Sequence, residues 1–167
     1  MKKLFICTAV LFLSCASKKT TGDQTSVTLQ LESECPKAGT CRIEVFENKK
    51  MQVNLDEFGS VYYKLEDDIQ KKVVKYSYSK TVKGNIQDAG YREEIVFELD
   101  NFENQNYENA GIQKTQMLFG RFCYCKGQTG NYKVTTGKLS IQDKKASLSF
   151  TVSEVPQLIQ KISFAIK

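Results

Sequence analysis

Residues 117–125 read MLFGRFCYC, and Arg121 is the only charged residue among them. Successive side chains of a β-strand point to opposite faces, so a run without polar alternation is covered on both. The stretch therefore predicts a central strand packed on two sides, with one guanidinium held inside it. On either side the apolar residues recur with a period of two, the signature of half-buried strands. Upstream these are Val27, Leu29 and Leu31, then Ile43 and Val45, then Met51, Val53 and Leu55. Val61, Tyr63 and Leu65 follow, then Val74, Tyr76 and Tyr78, then Ile95, Phe97 and Leu99. Downstream come residues 132–135, 139–141 and 148–152, and a last run of Ile162, Phe164 and Ile166.

Turn signals separate these runs: Asp56-Glu57-Phe58-Gly59, Gly127-Gln128-Thr129-Gly130-Asn131, Gly137, and Gln142-Asp143-Lys144-Lys145. About ten short strands with a turn every ~8–12 residues predict an all-β, antiparallel sandwich, or a barrel-like variant of it. Only two places could hold a helix, residues 66–72 and residues 156–160, where Pro156 could open a single turn, and both would be short. Loops 83–90 and 101–111 are expected to be mobile, the second because it offers almost nothing to bury.

The content of the chain narrows its chemistry. Hydrophobic residues make up 41%, enough for a real core. Histidine is absent, which removes Ser-His and Cys-His catalysis and the commonest zinc ligand. Tryptophan is absent too, which weighs against a sugar-stacking module. Lys2 and Lys3 supply part of the net charge of +5, and no basic cluster is dense enough to argue for nucleic acid. No cofactor is implied.

The N-terminus gives an address. In MKKLFICTAVLFLSC (residues 1–15), two lysines precede an apolar run that ends at Ser14-Cys15. The run has the length of a signal h-region and falls short of the ~20 residues a membrane span needs. Phe12-Leu13-Ser14-Cys15 resembles the lipobox of bacterial lipoproteins, with Phe12 where leucine is usual. That resemblance implies diacylglycerylation of Cys15 and removal of residues 1–14. Cleavage after Ala16 is the competing reading, since Ser14 and Ala16 also form a small-x-small site. Residues 15–26 then form the lipidated cysteine and a polar tether, and residues 27–167 a single β-sandwich domain. By resemblance to enterobacterial lipoproteins, the lack of an acidic residue just after Cys15 implies an outer-membrane anchor facing the periplasm. Residues 118–134, LFGRFCYCKGQTGNYKV, look like uncharacterised lipoproteins of the flavobacterial, Bacteroidota type. That resemblance implies no activity.

Four cysteines remain in the mature chain, Cys35, Cys41, Cys123 and Cys125. In an exported domain an even number reads first as disulfides. Cys35 is in phase with Val27, Leu29 and Leu31, and Cys41 with Ile43 and Val45, so a bond across the mouth of one hairpin is expected. It would stabilise by about 2 kcal/mol. Cys123 and Cys125 lie on one face of a strand, about 6.5–7 Å apart in regular geometry, so a local bond needs a bulge or turn. Two long-range bonds between the pairs are the alternative. A metal- or redox-active reading would use Cys123 and Cys125, with Met117 as a soft ligand, or all four thiolates.

Arg121 is a candidate contact for an anionic ligand, and pairing with Glu94 or Glu98 is the structural alternative. Glu93, Glu94, Glu98 and Asp100 supply carboxylates for hydrolytic chemistry, but Glu94, Glu98 and Asp100 fall on the polar side of one strand and read as a solvated face. Tyr62, Tyr63, Tyr91 and Tyr132 suit either a protein-binding surface or ordinary strand positions. No catalytic residue or metal ligand is assigned. The functional expectation is a non-enzymatic module bound to the membrane through Cys15. Its partner is an envelope protein or small ligand.

Overall fold

The computed structural model describes residues 26–82, 84 and 89–167. The expected signal segment, Cys15 and residues 16–25 of the tether lie outside the described residues, as does most of loop 83–90. The described chain forms ten strands: β1 (Leu29–Leu31), β2 (Gly39–Leu55), β3 (Val61–Lys80), β4 (Tyr91–Leu99), β5 (Gln105–Glu108), β6 (Leu118–Cys123), β7 (Gly130–Lys133), β8 (Thr136–Gln142), β9 (Lys145–Thr151) and β10 (Lys161–Ile166). All pair antiparallel, in one sheet ordered β1-β10-β9-β8-β5 and another ordered β2-β3-β4-β6-β7. The two sheets pack as a sandwich, as the period-two runs predict.

The first sheet alternates strictly. In β9, Ala146, Leu148 and Phe150 are buried while Lys145, Ser147, Ser149 and Thr151 are exposed. Its apolar face meets Val74, Tyr76, Ile95, Phe97 and Phe119 of the second sheet in the main core. The second sheet is different, because β4 is buried from Glu93 through Leu99 on both faces. Its outer face carries a second core of Met51, Val73, Val96 and Leu118, flanked by Phe46, Val53, Val61, Tyr63 and Leu65.

A long hairpin makes that second core. Sequence reading divides residues 43–55 and 61–78 into four strands with a helix at 66–72; the structure has two continuous strands of 17 and 20 residues and no helix. Between the pairs Glu47↔Lys72 and Lys49↔Asp67, Asn48 of β2 faces Asp68, Ile69, Gln70 and Lys71 of β3. This bulge, with Asn48 at φ 57°, bends the hairpin, as bulges do. Beyond the bend the hairpin folds back over the outer face. Val61 pairs with Asn131 of β7, and the Asn131 side chain donates to the Val61 carbonyl at 3.1 Å. The Met51 amide donates to Glu98 Oε2 at 2.8 Å, and Gln116 Nε2 to the Met51 carbonyl at 3.0 Å. Through that one residue pair the pairing runs in a circuit β3-β4-β6-β7-β3, so the second sheet curls back on itself.

Other differences are local. Residues 101–111, expected as a mobile loop with little to bury, contain β5 and open a 3-10 helix (Asn109–Thr115) whose Ile112 is fully buried. Residues 156–160 form no helical turn, because Gln157 takes the Val152 amide and the Ile159 carbonyl through its side chain. Gly137 lies inside β8 rather than at a turn. The turns at 56–59 and 142–145 fall where expected. Gly59 has φ 78°, and Asp143 and Lys144 have φ 49° and 61°, the left-handed pair of a tight hairpin.

Both disulfides are local. Cys35–Cys41 joins Cα atoms 5.7 Å apart, as the phase of the two cysteines predicts. It spans the crossover from the first sheet to the second rather than a hairpin mouth, since β1 pairs with β10. Cys123–Cys125 is bonded across 5.2 Å, because β6 ends at Cys123 and the chain turns there, with Gln128 N donating to the Cys125 carbonyl. The long-range alternative is not the one adopted.

Candidate functional site

One cross-strand row runs over the core-facing side of the second sheet at its open end. The register aligns Cys41, Tyr78, Glu93, Arg121 and Gly130 on successive strands. Side chains in such a row stand about 5 Å apart, so their polar groups must be matched or open to a ligand. Glu93 is fully buried. Its carboxylate accepts the Leu158 amide at 2.8 Å, the Ile159 amide at 2.8 Å and the Tyr91 hydroxyl. These bonds pin the connection between β9 and β10 across the end of the sandwich.

Arg121 sits beside this carboxylate and is 7% exposed. Its Nη1 donates to Gln128 Oε1 at 2.7 Å and to the Gln128 carbonyl at 3.3 Å. Nε points at the Tyr91 hydroxyl, 3.5 Å away, and the guanidinium lies 5.4 Å from the centre of the Tyr91 ring. The Tyr91 hydroxyl thus links Glu93 to Arg121. The expected pairing with Glu94 or Glu98 does not form. Both lie on the opposite face of β4, where Glu94 meets Lys75 and Arg92 at 3.0 Å each and Glu98 meets Lys71 at 3.5 Å. Nor is that face solvated: Glu94 and Glu98 are buried under the folded-back hairpin, and only Asp100 is exposed.

A cleft of about 430 Å³ opens between the sheets at this end, lined by Arg121, Tyr91, Tyr78, Lys80, Lys37 and the segment Pro156-Gln157-Leu158. Sequence reading singled out Arg121 and Tyr91 but not Lys37, Lys80 or Leu158, which are near one another only through the fold. Glu93 carried a usable signal, being in phase with Ile95, Phe97 and Leu99. The other tyrosines do not gather into one surface. Tyr62 is on the exposed side of the hairpin, Tyr63 flanks the second core and Tyr132 the main one.

Cys123 and Cys125 flank the same end, with Tyr124 exposed between them. Their sulfurs are bonded to each other, so neither is a free thiolate for metal or redox chemistry in this form. Met117 is buried in the main core, six residues and roughly 20 Å along the strand from Cys123, too far to share a metal with it.

Burial sets the acidity of the tyrosines here. It raises Tyr76 to about 12, with the Glu93 charge adding to the effect, and it raises Tyr91, helped by the hydrogen bond to Glu93. An unfolded tyrosine ionises near pH 10, so between about pH 10 and 12 the unfolded chain loses protons that the folded chain keeps. As far as these tyrosines decide it, stability is expected to be flat from pH 8 to 10 and to fall above that, by on the order of 1 kcal/mol per pH unit. Urea midpoints from pH 8 to 12, with tyrosinate absorbance followed in parallel, measure this; midpoints unchanged up to pH 12 would refute it.

No protein family, no curated protein and no solved structure matches this chain.

Proposed function

We propose that the protein is a bacterial cell-envelope lipoprotein, held in the outer membrane by lipid on Cys15 and facing the periplasm. Its β-sandwich acts as a non-enzymatic binding module for an envelope protein or small ligand. The supporting observation is the match between address and oxidation state: behind a lipobox-like segment, all four cysteines of the described domain are paired in disulfides. Disulfides persist in exported proteins and are rare in the cytosol. Diacyl anchoring would hold the chain firmly, since each buried methylene contributes about 0.8 kcal/mol.

Cys15→Ser tests the proposal. The variant is expected to lose palmitate labelling completely and to move from the membrane to the soluble fraction. Unchanged labelling and fractionation would refute it, whatever becomes of the domain.

A further inference from the structure

We infer that the cleft at Arg121 binds a small monoanionic organic acid, its carboxylate on the guanidinium and its apolar body against Tyr78, Tyr91 and Leu158. The inference rests on the binding-module reading and names the chemistry of the ligand.

Arg121 is more than nine-tenths buried, yet it makes no ion pair among the described residues. Nε and Nη1 are engaged with Tyr91 and Gln128, while Nη2 has no hydrogen-bond partner among the described residues. Nη2 is also not sealed away from solvent, since among the described residues no buried side-chain nitrogen or oxygen is left without a partner. Arg121 lines the cleft, so the two N–H groups of Nη2 are on offer at its wall. Lys37 and Lys80, both exposed and without an ion pair among the described residues, add positive charge at the rim. A buried cation with open donors favours an anion, and guanidinium suits the planar carboxylate.

The surroundings select among anions. Phosphate is usually cradled by backbone amides or several cations. Here the nearest amides, of Leu158 and Ile159, are spent on Glu93. The buried Glu93 carboxylate, one register position from Arg121, also repels a second negative charge. The walls are aromatic and aliphatic, and a volume near 430 Å³ lies within the range of about 300–1,000 Å³ typical of small-molecule sites.

Calorimetric titration of the full-length protein in nonionic detergent with 3-phenylpropionate tests this, with 3-phenylpropanol and inorganic phosphate as comparison probes. The acid is expected to bind at least tenfold more tightly than either. Arg121→Gln is expected to abolish that preference, and Lys37→Gln with Lys80→Gln, at exposed positions that leave the fold intact, to weaken the acid three- to tenfold. Equal binding of the alcohol, tighter binding of phosphate, or no effect of the two lysine changes would overturn the inference. A photocrosslinker at Leu158 reports on the broader reading separately. A partner captured in cells with no affinity for the acid would sink the ligand class alone; no capture and no affinity would sink both.

Discussion

Glu93→Ala is expected to lower stability by about 3–5 kcal/mol, more than any surface change in the chain. The carboxylate is fully buried and receives two backbone amides and a tyrosine hydroxyl. Removing it leaves one buried donor, the Ile159 amide, and two part-buried ones without an acceptor, each costing up to about 1–3 kcal/mol, and leaves Arg121 with no carboxylate nearby. The damage should be directional. The segment from 153 to 160 loses its pin to the second sheet, so hydrogen exchange at Leu158 and Ile159 should accelerate before that of β4 or β6. Glu93→Gln keeps the shape and one acceptor and should cost roughly half as much. Urea unfolding of the three proteins decides the matter; a loss under 1 kcal/mol for alanine would mean that the connection is held by its apolar residues alone.

The second large effect comes from neighbours on opposite faces of β6. Phe119 is fully buried in the main core, 5.9 Å centre to centre from Phe150, and Phe119→Ala is expected to cost about 3–5 kcal/mol. Leu118 points the other way. In an ordinary sandwich that position would face water and its loss would cost little. Here it is 1% exposed beneath the folded-back hairpin, against Met51, Val73 and Val96. Leu118→Ala should therefore cost about 2–5 kcal/mol as well. Because the two cavities lie on different sides of the sheet, the double variant should lose nearly the sum. A Leu118→Ala loss below 1 kcal/mol would show that the hairpin does not close over this face in solution.

That burial of Leu118 is what MLFGRFCYC announces, and there the sequence is plainly legible. The regular runs of β4, β8, β9 and β10, the turns at 56–59 and 142–145 and the Cys35–Cys41 bond are legible for the same reason: each is decided by neighbours along the chain. What covers the outer face is not. The bend at Asn48 and residues 68–71 breaks the alternation with Asp68, Gln70 and Lys71, so two long strands look like four short ones around a helix. Ile112 is a lone apolar residue in a polar stretch, and only the fold gives it a core to enter. The site divides in the same way. Arg121 stands out as a charge among apolar residues, but its run is apolar on both sides, and only the register of β6 on β4 sets it beside Glu93 and away from Glu94 and Glu98. The lysines of the cleft come from the chain after Cys35 and the end of β3, and no local pattern brings them together.

The pairing of β1 with β10 fixes how the domain would be presented to its surroundings. Thr28 and Lys167 exchange both amide–carbonyl hydrogen bonds at one extremity of these strands, while Leu158 precedes the other end of β10, a strand about 17 Å long. Anything attached through residue 26 therefore pulls on the pole opposite the cleft. In the proposed lipoprotein, the point of attachment and the mouth of the cleft would lie at opposite ends of the domain.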